Sequence, residues 1–198
     1  MNYYFGRVFL IEIRWHGRGG HGIVVASQLL GEMLLKEGLY SLSRPLFGAE
    51  RRGAPVMVVT RIDNKPILTR STETNPDIIV VTDKRLVKMV DVTKGLKNNG
   101  LVVINTDKFD EELKKVFSGY CVAYLNAVEI SERVDLKVGG IPLVNIPLLG
   151  ALVKATNLVK RDTAIEVLYS HWGSGEIGRK NVDAFTTAYE VVKIVGSA

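Results

Sequence analysis

At 198 residues, with 46% hydrophobic and 24% charged positions, the chain can bury a full core without staples and is neither disordered nor fibrous in composition. Its single cysteine, Cys121, excludes an internal disulfide framework and an iron–sulfur cluster held by this chain alone, and its three histidines lack zinc-ligand spacing. The formal net charge of +5 lies largely in pairs such as Lys84-Arg85, Lys114-Lys115 and Arg179-Lys180, which read as solvated helix faces rather than a nucleic-acid footprint.

No apolar run reaches the length of a bilayer span, and the first residues carry no cleavable signal pattern. The expectation is a cytoplasmic protein with neither membrane nor nucleic acid as partner. In chain order, Val8 to Trp15 reads as a strand that ends on a glycine-rich turn. Ile23 to Lys36 has apolar residues at helical spacing, and Glu37-Gly38 supplies its stop. Leu39 to Ser43 is a short second strand. Arg44 to Pro55 is a polar loop with three arginines. Val56 to Ile62 and Pro66 to Arg70, joined through Asp63-Asn64-Lys65, predict a β-hairpin inserted antiparallel into the sheet.

Strand and helix then alternate. Asp77 to Thr82, Leu101 to Asn105 and Cys121 to Leu125 read as strands; Lys84 to Lys97, Asp110 to Phe117 and Ala127 to Val134 read as helices. Lys137 to Pro142 is a connecting loop. Pro147 opens a helix through Val153, Asp162 and Thr163 start another towards His171, and Asn181 to Val195 forms the last. The fold class is α/β: one domain over residues 1–198, a three-layer α/β/α Rossmann-like arrangement with a mixed, mainly parallel sheet and a helical C-terminal third.

Two stretches can carry chemistry. The first is Trp15-His16-Gly17-Arg18-Gly19-Gly20-His21-Gly22, with four glycines in six residues between a strand and a helix. Free N–H groups at such a helix start hold phosphates, and Arg18 adds charge-assisted contacts; the alternative is a tight turn whose glycines only permit close packing. A nicotinamide fingerprint would need an acidic residue at the end of the second strand. Ser43 and Arg44 stand there instead, which suits NADP at best, and no substrate-side catalytic pair accompanies them.

The second stretch, Pro45 to Pro55, places Phe47, Gly48, Glu50, Arg51 and Arg52 on one loop, an arginine-and-aromatic mixture typical of an interface or a phosphorylated ligand; its alternative is a solvated loop. His16 and His21 flank the glycines without a nucleophile beside them, so contact or structural roles fit better than catalysis. Cys121 reads as a buried inert thiol and His171 as a helix-end residue.

With both loops in view, the chain resembles the gamma subunit of 2-oxoacid:ferredoxin oxidoreductases, the pyruvate synthase group. The resemblance rests on Ile13 to Gly22 and Phe47 to Pro55, with Asn75-Pro76-Asp77, Asp91-Val92-Thr93, Val102 to Thr106 and Leu149 to Thr156 following in the family's order. His21 departs from the family's usual glutamine, and Asn157 stands where a glycine commonly follows the helix.

The resemblance implies a hetero-oligomeric enzyme that oxidatively decarboxylates a 2-oxoacid, most often pyruvate, to an acyl-CoA. Thiamine diphosphate, Mg and iron–sulfur clusters would sit on alpha, beta and delta partner subunits, with ferredoxin as electron acceptor. This chain would carry no catalytic or metal residue, bind no cofactor alone and be inactive in isolation. Gly17, Arg18, Gly19, Gly20, His21, Gly22, Arg51 and Arg52 would face coenzyme A or a partner subunit, and Phe47, Gly48, Glu50, Arg51 and Arg52 would anchor the neighbouring catalytic subunit. The competing readings are a free-standing NADP-binding oxidoreductase and a non-catalytic scaffold subunit.

Overall fold

The computed structural model describes residues 10–46, 55–68 and 74–196. Phe47, Gly48, Glu50, Arg51 and Arg52, expected to form the second site, lie outside the described residues.

A seven-stranded sheet organises the chain. β1 (Ile11–Arg18) pairs in parallel with β4 (Ile78–Val81), which continues into β5 (Leu101–Asn105) and β6 (Cys121–Leu125). On the other side of β1 lies antiparallel β3 (Pro55–Asp63), edged by β2 (Tyr40–Leu46); the far edge is closed by antiparallel β9 (Lys193–Val195). β2 thus points the same way as β1, β4, β5 and β6, which makes the sheet mixed and mainly parallel in direction.

The alternation of β1 separates the faces. Ile11, Ile13 and Trp15 enter one core with α1 (Ile23–Lys36), α4 (Ala127–Arg133), α5 (Asn145–Thr156), α6 (Arg161–Trp172) and α7 (Glu176–Val191). Ile79, Val81, Val102, Ile104 and Val122 face the opposite side, covered by α2 (Leu86–Met89) and α3 (Glu111–Val116). Asp110 caps α3 by accepting from Leu113 N–H, and Asn126 caps α4 by accepting from Glu129 N–H. Asn157 closes α5 at φ 53°, a left-handed conformation that asparagine tolerates, so the helix stops as it would at a glycine.

Several expectations are corrected. On its side away from β1, β3 pairs antiparallel with β2 and not with Pro66 to Arg70: Ile67 and Leu68 form no strand, Pro66 has no N–H for a ladder, and Thr69 and Arg70 lie outside the described residues. The helix expected over Lys84 to Lys97 lasts only from Leu86 to Met89. Val90 turns extended at φ −141°, and Asp91 accepts from both the N–H and the hydroxyl of Thr93, fixing a turn in place of a further helical one. The last helix ends at Val191, and the β-branched run beyond it becomes β9 against β6. Within Lys137 to Pro142, β7 (Lys137–Val138) and β8 (Ile141–Pro142) form a two-stranded ribbon.

Candidate functional site: a crevice at the carboxyl ends of β1 and β4

α1 leaves β1 towards one face of the sheet and α2 leaves β4 towards the other. Between two adjacent parallel strands whose helices diverge, a crevice opens outside their carboxyl ends, the usual ligand position in such sheets. The glycine turn lies on one bank of it. Gly17 and Arg18 end β1, His21 N–H closes a turn on the Arg18 carbonyl at 3.0 Å, and Gly22 leads into α1.

Two of these glycines are dictated by geometry. A β-carbon on Gly17 would sit 2.8 Å from Ile23 Cγ2, so α1 packs on the strand only because nothing is there. Gly22 has φ +69°, and a β-carbon on it would lie 2.5 Å from Asn145 Nδ2. Gly22 stands at the N-cap with no side-chain cap, and no acidic residue occupies the first turn of α1. The leading N–H groups of a fourteen-residue helix are therefore left for another acceptor.

The opposite bank comes from β4. His21 Nδ1 and the Thr82 hydroxyl are 2.6 Å apart, and Arg18 Nε lies 3.1 Å from Asp83 Oδ2. Arg85 grips the same carboxylate through Nε and Nη2, the latter at 2.7 Å, and Arg18 Nη2 also approaches Met89 Sδ at 3.1 Å. Burial pushes the Asp83 carboxyl up, but the hydrogen bonds of Arg85 and the charges of Arg85 and Arg18 outweigh it and hold the group below the usual range. Burial pushes the His21 ring down, and the Arg18 and Arg85 charges add to this against Asp83. A third element closes the floor: Asn145, at the start of α5, donates to the Gly22 carbonyl at 3.2 Å, while its buried Oδ1 has no protein partner.

Of the predicted residues, Gly17, Arg18, Gly19, Gly20, His21 and Gly22 are thus brought together. Leu46 and Pro55 lie at the same edge, Pro55 opposite Arg18 in the β1–β3 ladder and Leu46 opposite Met57 in the β2–β3 ladder. Ser43 does not stand at a dinucleotide ribose position. β2 is antiparallel to β3 and not a neighbour of β1, and the Ser43 hydroxyl is 2.9 Å from the Thr60 hydroxyl. Sequence reasoning missed Thr82, Asp83, Arg85 and Asn145. Polar residues directly after the buried strand Ile78–Val81 were a usable signal for the first three; nothing local marks Asn145.

Beneath the crevice, on the face of β1 away from α1, lie Glu12, Arg14 and His16, all buried. Arg61 Nε donates to Glu12 Oε2 at 2.9 Å, and Arg14 Nε donates to His16 Nε2 at 3.0 Å. Burial, followed by the Arg14 charge, lowers the His16 ring to about 4, so it is neutral near pH 7. Cys121 is buried mid-sheet. Among the described residues, no group of histidine, cysteine and acidic side chains is placed to hold a metal, and no helix is long and apolar enough to cross a membrane.

The fold and crevice define a Rossmann-like α/β chain with an uncapped helix start beside the carboxyl end of β1. Residues 12–191 match the family described as pyruvate ferredoxin/flavodoxin oxidoreductase. The chain is 44% identical to the pyruvate/ketoisovalerate oxidoreductases common subunit gamma of Pyrococcus furiosus, over 93% of this chain and 98% of that one. It is 43% identical to pyruvate synthase subunit PorC of Methanothermobacter marburgensis, over 94% and 100% of the two chains. The crystal structure of pyruvate oxidoreductase subunit PORC from Thermotoga maritima superposes with a TM-score of 0.82 at 31% identity, covering 94% of this chain and 99% of that one. The chain belongs to the pyruvate ferredoxin/flavodoxin oxidoreductase family, as a gamma subunit of a multi-subunit complex.

Proposed function

We propose that this gamma subunit binds the phosphate-bearing end of coenzyme A in the crevice between β1 and β4, within a complex that oxidatively decarboxylates pyruvate to an acyl-CoA. The observation that carries the reading is the uncapped start of α1 at Gly22, with the Arg18 guanidinium on the adjoining turn. A phosphate there accepts from the leading N–H groups of α1, and Arg18 exchanges part of its contact with Asp83 for the ligand. Asn145 holds the turn in place by donating to the Gly22 carbonyl at 3.2 Å. Arg51 and Arg52 extend the site from the segment whose flanks, Leu46 and Pro55, lie at this edge, and Phe47, Gly48 and Glu50 of that segment meet the catalytic partner.

The chemistry itself belongs to the partners. Thiamine diphosphate and Mg, together with iron–sulfur clusters that deliver electrons to ferredoxin, reside on alpha, beta and delta subunits; one cysteine here cannot ligate a cluster. What this chain contributes is the position of the acyl acceptor, and alone it turns over nothing. Calorimetric titration of the full chain with coenzyme A, dephospho-coenzyme A and NADPH tests this. Coenzyme A should bind, with weaker binding of the dephospho form; tight NADPH binding overturns the reading in favour of a nucleotide oxidoreductase, and no binding of any of the three leaves the glycine turn as a scaffold contact.

A further inference from the structure

The face of β1 opposite α1 carries a cavity that the coenzyme A reading does not use. Its volume is about 510 Å³, within the range of small-molecule pockets. Leu46 and Met57 from the β2–β3 pair and Leu86 and Val90 from the other side form apolar walls. Arg14 and His16 lie on its floor, and Asp91 and Lys94 stand at its rim.

The charge on that floor is the unexplained feature. Arg14 is only 4% exposed, yet each of its nitrogens is directed to a neutral acceptor: Nε to His16 Nε2 at 3.0 Å, Nη1 to Thr74 Oγ1 at 3.2 Å, and Nη2 to the Val92 carbonyl at 2.9 Å. Among the described residues no carboxylate stands at ion-pair distance from it. Glu12 pairs with Arg61 through Oε2 and Asp91 bonds Thr93 through Oδ1, so both carboxylates act on Arg14 through space and neither touches it. A buried charge without a paired counter-charge is costly, and a guanidinium has five N–H donors, so two on the terminal nitrogens are uncommitted. Among the described residues the lining charges are Arg14 and Lys94 positive and Asp91 negative, with His16 neutral, leaving a net charge of one positive. An anionic ligand of one charge balances the floor, and the apolar walls suit an aliphatic body.

We propose that this cavity is a second ligand site, for a small organic monoanion that carries a carboxylate on an apolar chain. The carboxylate meets the remaining Arg14 N–H groups, and the chain lies against Leu46, Met57, Leu86 and Val90. A phosphate dianion suits the site less well, because only one net positive charge lines it and Asp91 stands at the rim. The site shares Gly17 and His16 with the base of the glycine turn but stands independently of the coenzyme A reading.

The test uses the full chain and three six-carbon probes, hexanoate, hexanamide and hexyl phosphate, followed by calorimetry and by the His16 ring resonances. Hexanoate should bind saturably and shift His16, with hexanamide and hexyl phosphate each weaker by about tenfold. Val90→Trp, which fills the cavity from its wall, should abolish hexanoate binding and leave the coenzyme A titration unchanged; Arg14→Gln should weaken hexanoate to the level of hexanamide. Equal binding of hexanoate and hexanamide, tighter binding of hexyl phosphate, absence of saturable hexanoate binding, or hexanoate binding that survives Val90→Trp would each overturn the proposal. Because coenzyme A is titrated separately, its failure to bind would sink the crevice reading and leave this one standing.

Discussion

The two faces of β1 are built from one strand and behave as different materials. Towards α1 and α5, Ile11, Ile13 and Trp15 join a continuous apolar core with Leu29, Met33, Leu149 and Leu152, where side chains are interchangeable in kind if not in shape. Towards α2, Glu12, Arg14 and His16 are just as deeply buried but polar, and each is held by a named partner. The first face supplies stability by area. The second supplies a charged floor beside the carboxyl edge, which no amount of repacking with hydrocarbon would reproduce. Period-two alternation delivers both from eight residues.

The contrast can be broken most severely from the core side. Trp15→Ala should cost about 3–5 kcal/mol by removing a fully buried ring together with the hydrogen bond its Nε1 donates to the Thr60 hydroxyl at 3.1 Å, read as a lowered urea midpoint. The polar face should respond to pH instead. The His16 ring sits at about 4 when folded, below its ordinary 6.5, so the unfolded chain binds the proton first. Stability is complete above pH 6.5 and falls as the pH drops from there towards 4, by at most about 3 kcal/mol. His21 acts in the same direction, and Asp83, held below its ordinary value, loses its contribution only in stronger acid. Urea melts at pH 7 and pH 4.5 should show this loss, and His16→Gln should flatten it; an undiminished slope would remove His16 as its source.

Smaller effects sharpen the division at the crevice. Gly22→Val forces a β-branched residue into φ +69° against Asn145 and should cost about 1–3 kcal/mol while weakening coenzyme A more than it weakens the fold. Arg18→Ala should leave the unfolding midpoint within about 0.5 kcal/mol of the parent, since the side chain is partly exposed and Asp83 keeps Arg85, and should weaken coenzyme A about tenfold. Unchanged coenzyme A affinity in that variant would assign the Arg18–Asp83 pair to structure alone.

Much of this was legible where local and global preferences agree. α1, β5 and β6 begin and end where the apolar spacing and the Gly38 and Gly100 stops put them. The reading failed where a side chain overrode the pattern. Leu86, Val92 and Leu96 are all buried, as a helix would require, but only Leu86 is held on α2; the Asp91–Thr93 contacts and extended Val90 bury the other two from turns. The C-terminal apolar residues satisfy helical and strand patterns alike, and only the open edge of β6 decides between them. At the site, the glycine turn announced itself because its chemistry is contiguous. Asn145 did not, since it reaches Gly22 across more than half the chain. Glu12, Arg14 and His16 were visible as alternation within β1, yet alternation ordinarily signals a wet face, and here that face is dry.

The short strand β9 has a bearing on how the protein is made. Lys193 to Val195 covers the edge of β6 only after α5, α6 and α7 have been synthesised, and α7 packs on α5 and α6. Until then β6 presents unpaired backbone groups beside a parallel sheet whose distant pairings are slow to form. The nascent subunit therefore passes through a window in which a strand from another chain can take the place reserved for its own tail. Truncation or charge insertion within β9 should accordingly show first as lower recovery of assembled complex during expression, ahead of any change at the crevice.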